Sequence, residues 1–323
     1  MSDLPTLAQV AAAAGVSPAT ASRALSGSVR VSTATRRQVY DAMSRLGYVR
    51  HRAPRGVSAR RQVAAITAVI CDHLPRLFSE PFYTRFLSAA NAVLEEHGTQ
   101  LMMATVSPTA TTVPSFTGPV LLLGARERHP LPIALSASGI PLLCIGRPPD
   151  SLRLPYADVD NRDGARQAAE HLLLSGRQRL TVIAGPPQLS VTRDRIAGFT
   201  RLLREAGLPD PLVAYGDFTA ASGAHAMQWL LSHSPGLDAV FACSDPMAAG
   251  ALQTLRRARR AVPEQVSVIG FDDAPIAQRT VPALTTVRQP VEELAAVATR
   301  ILLSGEIRRD PILPTELVVR ASA

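Results

Sequence analysis

Arginine is the residue with which this chain is equipped to do chemistry: all 34 of its basic residues are arginine, and lysine is absent. A P-loop, a kinase phosphate lysine and a Schiff-base lysine are thereby excluded. Cys71, Cys144 and Cys243 lie far apart in apolar segments with no CxxC pair, which reads as core thiols in a reducing compartment. His51, His73, His97, His129, His171, His225 and His233 form no HExxH, and neither a GxSxG elbow nor a GxGxxG turn occurs. These absences argue against an enzyme, a resident metal and a bound cofactor, and leave binding as the chemistry to explain.

Guanidinium binds phosphate and carboxylate by paired hydrogen bonds, so the location of its charge matters. Residues 1–61 hold ten arginines against Asp3 and Asp41, while residues 62–323 hold 24 arginines and 24 acids, so the whole net charge of +8 sits in the N-terminal segment. A solvated arginine-rich face explains many such runs, but a charge excess confined to one segment is also the footprint of a polyanion-binding module.

The elements predicted around those arginines choose between the two. Thr6 starts a helix with a capping-box partner, Gln9, and Leu7, Val10, Ala11 and Ala14 mark its inner face. Gly15 closes that helix, Val16 plugs the turn, and Ser17 caps a second helix with Pro18 at its first position. Ala21 and Leu25 face inward. A third helix follows Ser32, with Val39, Ala42, Met43 and Leu46 inward and Gly47 as its stop. Two helices on a tight turn, backed by a third, make a helix-turn-helix that offers the start of its second helix to the major groove.

The runs Leu7-Ala8-Gln9-Val10-Ala11, Ala14-Gly15-Val16-Ser17, Ala19-Thr20-Ala21-Ser22-Arg23-Ala24-Leu25, Val31-Ser32 and Leu46-Gly47-Tyr48 resemble those of LacI/GalR-family transcription regulators. The resemblance implies base reading by Pro18, Ala19 and Arg23, with Thr20 and Ser22 available for phosphate oxygens and Thr6, Ser17 and Tyr48 also on the DNA side. Arginine bidentate to guanine O6 and N7 contributes about 1–3 kcal/mol of discrimination, whereas Pro18 and Ala19 offer apolar contact alone. Arg23 is the expected specificity residue.

Residues 50–61 form a basic linker containing Arg52 and Arg55. In the family this hinge folds on DNA and inserts a leucine from each protomer into the minor groove; Val57 stands at that position here, with Pro54 and Gly56 interrupting the helix. Either the shorter side chain wedges and the arginines supply more of the binding, or the segment is a flexible tether.

Length and composition set the frame for the remainder. At 323 residues, 46% hydrophobic and 19% charged, the chain is expected to form two or three globular domains, and no apolar run is long enough to span a membrane. Met1-Ser2-Asp3 lacks the basic start of an export signal, so a cytoplasmic location is expected. Beyond residue 61, strands near Val63–Cys71, Gln100–Val106, Val120–Leu123 and Leu142–Ile145, with a helix over Phe82–His97, predict a parallel sheet covered by helices. After Asp160-Asn161 a second sheet begins, with a helix near Gly164–Ser175 and strands near Leu180–Ala184, Ala239–Ala242 and Val266–Gly270. Between Ser107 and Pro119 no helical periodicity occurs, so the crossover helix usual in the family is expected to be missing.

The resulting expectation is an all-α helix-turn-helix domain (1–49), a hinge (50–61) and an α/β periplasmic-binding-protein-like effector domain of two parallel-sheet subdomains (62–323). The subdomains are placed at about 62–160 with 290–314, and about 161–289 with 315–323. The resemblance implies crossings near Thr286–Pro290 and Leu313–Thr315, and a small-molecule effector, a sugar or sugar derivative, in the cleft between them. It matches Arg195 to the family's ligand-gripping arginine, Asp272 to its hydroxyl-accepting carboxylate and Phe218 to an aromatic wall, with Phe82, Arg147, Ser244 and Gln289 at the rim. Each also has a structural reading, such as pairing of Arg195 with Asp272 or of Arg193 with Asp194. Asp245 before Pro246 reads as a helix N-cap and is left out of the effector set.

The implied protein is a homodimeric repressor on a pseudo-palindromic operator, its affinity shifted by effector through about 1–3 kcal/mol of coupling. No leucine-heptad tail follows the final strand near Thr315–Arg320, so a tail-mediated tetramer is not expected. The rival class, an enzyme or transport receptor on the same architecture, would need a nucleophile or cofactor motif, or an export signal without the basic head.

Overall fold

The computed structural model describes residues 6–25, 31–46, 48, 63–305 and 310–323. Gly47 and the hinge expectations on Arg52, Pro54, Arg55, Gly56 and Val57 lie outside the described residues.

Helices α1 (Leu7–Ala13), α2 (Pro18–Leu25) and α3 (Thr33–Leu46) form the N-terminal bundle. Thr6 and Gln9 make the reciprocal capping box, the Thr6 N–H donating to Gln9 Oε1 at 2.6 Å and the Gln9 N–H to Thr6 Oγ1 at 3.3 Å. Gly15 adopts the left-handed φ of +68° that closes α1. Ser17 and Ser32 accept the N–H groups of Thr20 and Thr35 at 3.1 Å each, capping α2 and α3. Val10, Ala11, Ala21, Ala24, Leu25, Val39, Ala42 and Met43 make one small core. Leu46, expected inward, is exposed. α3 ends there, the Tyr48 N–H bonds back to the Met43 carbonyl, and the Tyr48 ring packs on this core.

The next elements are β1 (Ala65–Ile70), α4 (Leu74–Ser79), α5 (Pro81–Glu96), β2 (Gln100–Thr105), β3 (Val120–Leu123), α6 (Pro130–Ser138), β4 (Leu142–Ile145) and β5 (Tyr156–Val159). They are followed by α7 (Asn161–Leu174), β6 (Leu180–Ala184), α8 (Ser190–Glu205), β7 (Leu212–Tyr215), α9 (Ala220–His233), β8 (Ala239–Ala242), α10 (Asp245–Arg257), β9 (Ser267–Asp272), β10 (Thr285–Arg288), α11 (Val291–Ser304), β11 (Ile312–Leu313) and β12 (Glu316–Val318). The strands form two six-stranded sheets, ordered β11-β5-β4-β3-β1-β2 and β12-β10-β9-β8-β6-β7. All ladders are parallel except β10 with β12, where the chain returns antiparallel along the edge. Inner strands β3, β4, β6, β8 and β9 are buried throughout, as parallel strands covered on both faces must be, while edge strands β2 and β7 are largely exposed.

Two compact units result. One comprises Met1–His73, Ala90–Ala157 and Ala296–Asp310; the other comprises Leu74–Ala89, Asp158–Ala295 and Pro311–Ala323. In the first, no helix joins β2 to β3. Residues 106–119 cross without a helix, half-buried Ala110, Val113 and Phe116 packing against the sheet core, and His129 Nε2 lies 3.1 Å from the Ser107 carbonyl. In the second, α9 and α10 pack closely, because Gly250 leaves room for the Ala220 carbonyl and Gly223 for the Met247 backbone.

Candidate functional site

The exposed start of α2 presents Ser17, Pro18 and Ala19, with Arg23 one turn further along and also exposed; Thr20 and Ser22 are half-buried. Ser17 Oγ and Thr20 Oγ1 lie 2.8 Å apart, so Thr20 is engaged in the cap while Ala21, Ala24 and Leu25 hold the opposite face in the bundle core. Thr6 is exposed at the head of α1 and Tyr48 is half-buried. α2 therefore carries apolar and guanidinium groups on one surface of a helix whose other surface is locked in the bundle core.

The second unit holds a buried polar cluster at the carboxyl ends of its strands, where ligands of open parallel sheets bind. Arg195 on α8 is 4% exposed. Its Nε donates to Asn161 Oδ1 at 2.9 Å and its Nη1 to the Cys243 carbonyl, just past β8, at 2.6 Å. The guanidinium carbon lies 3.5 Å from the centre of the Phe271 ring, and Nη1 is 3.6 Å from Asp272 Oδ1. Gln289, following β10, donates through Nε2 to the same Asp272 oxygen at 2.6 Å. α8 can bring Arg195 here because Gly198 lets it lie against the Arg162 backbone.

Phe218 stands at the turn before α9 in a left-handed conformation, φ +70°, with its ring against Gly185; any side chain at Gly185 would overlap that ring. Asp272 and Asp273 also have positive φ, +113° and +49°. For such residues this backbone is strained, and strain of this kind concentrates at binding sites.

Three carboxylates sit close together in different electrostatic settings. Burial raises Asp272 to about 6, against the attraction of Arg195 and the hydrogen bond from Gln289. Asp245 is wholly buried, and desolvation together with the Asp272 charge pushes its pKa well above the usual carboxylate range. Burial also opposes the charge on Asp273, but hydrogen bonds from Arg320 and Arg288 outweigh it and hold that carboxyl low. Asp245, expected as a helix cap, is instead the first residue of α10. Ser244 is the N-cap, accepting the Met247 N–H at 3.4 Å, while Asp245 accepts from the Ala274 N–H at 2.6 Å and from Thr286 Oγ1 at 2.5 Å. The side chain that caps is the one preceding the first helical residue, and Ser244 holds the extended backbone this needs.

Of the sequence-selected effector residues, Arg195, Asp272 and Gln289 are bonded together, and Ser244 adjoins Cys243, whose carbonyl Arg195 engages. Phe82 lies on α5 in an aromatic group with Tyr83 and Phe86, their ring centres 5.8 and 6.0 Å from its own. Arg147 belongs to the other unit, in the loop after β4, where it pairs with Asp150. Asp194, weighed as a partner of Arg193, is buried and accepts from Arg162 Nε at 2.8 Å; Arg193 donates to Ser190 Oγ at 3.2 Å. Sequence reasoning did not single out Asn161, Phe271 or Arg85. Asn161 opens α7 two residues past the end of β5 and Phe271 directly precedes Asp272 at the end of β9, so nearness to a strand's carboxyl end was the available signal. Arg85 had none: it clamps Glu292 at 2.7 and 2.8 Å and donates to the Asp272 carbonyl at 3.2 Å across 187 residues of sequence.

Among the described residues no group of three histidine, cysteine or acidic side chains could hold a metal ion, and no helix is long and apolar enough to cross a membrane.

Comparison with known proteins gives these geometries a context. Residues 6–51 match the family described as bacterial regulatory proteins, lacI family, and residues 169–323 match a periplasmic binding protein-like domain. The chain is 38% identical over 335 residues to the HTH-type transcriptional regulator CelR of Thermobifida fusca, covering 98% of both chains. It is 32% identical to the HTH-type transcriptional repressor CytR of Escherichia coli strain K12, covering 98% of this chain and 96% of that one. Its fold is similar to that of a solved CelR–cellobiose complex, with a TM-score of 0.76, 37% identity, and coverage of 99% of this chain and 100% of the other. A lac repressor dimer bound to operator shares the fold at a TM-score of 0.70 and 22% identity, each chain covered to 99%.

Proposed function

This chain belongs to the LacI family of bacterial transcriptional regulators, DNA-binding proteins that are not enzymes, and from that premise we propose that its operator affinity is set by a small sugar-type effector held at the polar cluster of the second unit. The observation that carries this reading is the Arg195–Asp272–Gln289 group: a buried donor, a buried acceptor and an amide at strand carboxyl ends, beside the strained aromatic Phe218. Hydroxyl-rich ligands need fixed donors and acceptors together with an apolar plate for a ring face. Arg195 supplies donors, Asp272 accepts, Gln289 does both, and Phe218 packs. Phe82, Ser244 and Arg147 complete the proposed set. The solved relative's complex with cellobiose makes a β-linked disaccharide the first compound to try.

At the DNA, Arg23 reads guanine, Pro18 and Ala19 contact methyl groups, and Thr6, Ser17, Thr20, Ser22 and Tyr48 serve the backbone; Arg52, Arg55 and Val57 act in the hinge. The working form is a homodimer on a pseudo-palindromic site, acting where the chromosome is, in the cytoplasm. Effector shifts operator affinity by about 1–3 kcal/mol, the usual size of such coupling.

The test is a footprint on the DNA upstream of the gene with and without cellobiose and related sugars. A protected palindrome whose occupancy changes at least fivefold with a sugar, and does so no longer in Asp272→Asn, supports the reading. Protection indifferent to every sugar would remove the effector assignment and leave the family membership standing. Arg23→Ala is expected to erase preference at one base pair per half-site while salt-sensitive binding to random DNA survives; equal loss on both kinds of DNA would refute its role.

A further inference from the structure

Several arginines of the second unit are paired with acids: Arg162 with Asp194, Arg166 with Asp163 and Glu170, Arg201 with Glu205, Arg204 with Asp210, and Arg288 with Asp273 and Glu316. Among the described residues exposed Arg279, after β9, makes no such pair, and four more without one gather at one end of the unit. Arg256 and Arg257 close α10, Arg259 and Arg260 follow, and Arg177 and Arg179 lead into β6. Leu180, Ala239 and Ser267 are in register across β6, β8 and β9, so the segments preceding these three strands emerge together at the amino end of the sheet. That is the end opposite the polar cluster.

Arg177 and Arg260 have structural duties. Arg177 donates to the Pro263 and Glu264 carbonyls, and Arg260 to the Pro235 and Leu237 carbonyls, pinning the incoming loops. The exposed side chains of Arg179, Arg256, Arg257 and Arg259 make no hydrogen bond or ion pair among the described residues. The acids nearby are Asp238, whose carboxylate accepts the Gln178 and Arg179 N–H groups at 3.1 and 2.9 Å, and exposed Glu264. Arginines at the end of α10 complement its helix dipole, but two in the last turn suffice for that.

We propose that this end of the second unit is a second polyanion-docking surface, and that its occupant is duplex DNA. Guanidinium without lysine favours phosphate recognised by paired hydrogen bonds over diffuse attraction. The strands beneath span roughly 10 Å from β6 to β9, comparable with the approximately 12 Å major groove, so the arginines can meet phosphates on both of its sides. Two contacts to one polymer raise its local concentration, and a molecule held at α2 would thereby retain or bridge a second stretch of duplex.

The experiment uses the full chain held by its N-terminal helices on bead-bound random duplex, with a second, fluorescent 30-bp random duplex added in 50 and 150 mM salt. The comparison is the fourfold variant Arg179→Gln, Arg256→Gln, Arg257→Gln and Arg259→Gln, whose fold is checked by its thermal melting. The parent is expected to retain the second duplex at 50 mM salt and lose most of it at 150 mM. The variant should bind the beads as the parent does but retain at least tenfold less second duplex. Equal retention by parent and variant, or no retention by the parent, would overturn the proposal. Retention of fluorescent polyglutamate in place of the duplex would also overturn it, assigning the surface to an acidic protein. Failure to bind the beads would instead count against the N-terminal reading, and retention is then read directly, with the chain tethered at its N-terminus.

Discussion

Replacing Arg195 by methionine tests whether the polar cluster is a coupled unit. The change keeps an unbranched stem as far as the Nε position and removes the guanidinium from a site that is 4% exposed. Asn161 Oδ1 and the Cys243 carbonyl, now bonded at 2.9 and 2.6 Å, lose their donor. Each buried acceptor left without a partner costs about 1–3 kcal/mol. The stacking on Phe271 at 3.5 Å contributes about 2 kcal/mol where water is excluded. Against these losses, Asp272 keeps Gln289 and, with its main attracting charge gone, takes up a proton more readily, so it does not remain as a bare buried charge. Contact of the thioether with the Phe271 ring offsets a further part, and the net destabilisation is expected to be about 3–4 kcal/mol, within the range for breaking a buried pair. The assay is urea unfolding followed by the emission of Trp229, the single tryptophan, which lies in this same unit. Arg195→Lys should recover less than half of the loss, because an ammonium cannot fork to Asn161 and Cys243 together. A loss below about 1 kcal/mol, or full recovery by lysine, would refute the reasoning.

Other outcomes follow from the same geometry. Asp272 has a folded pKa raised to about 6, so the folded state binds the extra proton; its contribution is present at pH 4 and lost as pH rises through 6. Asp272→Asn should therefore flatten the fall in stability between pH 4 and 7 by about 2–3 kcal/mol, read from urea midpoints at fixed salt, and an unchanged slope would count against the buried carboxylate. Gly250→Ala places a methyl group on the Ala220 carbonyl where α9 meets α10, and should cost about 3 kcal/mol, measurable as a lower melting temperature. Burial pushes the thiols of Cys71, Cys144 and Cys243 up to about 11, 12 and 12, so none should react with dithionitrobenzoate at pH 8 until urea unfolds the chain; fast labelling of the native protein would show that burial wrong.

Local chemistry was legible in the sequence because it acts over three or four residues. Thr6 with Gln9, Gly15, and Ser17 with Pro18 specify α1, its stop and α2 from within single turns, and the basic excess before residue 62 marks the polyanion end. The missing crossover helix was legible in the same way, as the stretch 107–119 without helical periodicity. Tertiary structure alone decided matters in which partners are far apart in the chain. Leu46 lost its inward place to Tyr48 at a helix end. Asp245 left the cap because a buried carboxylate could be satisfied by Ala274 and Thr286, 29 and 41 residues on. Arg195 found Asn161 and Cys243, and Arg85 found Asp272, through strands whose order along the sheet is not their order along the chain. Capping and periodicity are set by neighbouring dihedrals, whereas burial and pairing depend on which distant carboxylates and carbonyls the packed sheets bring within 3 Å, and a linear pattern does not encode that distance.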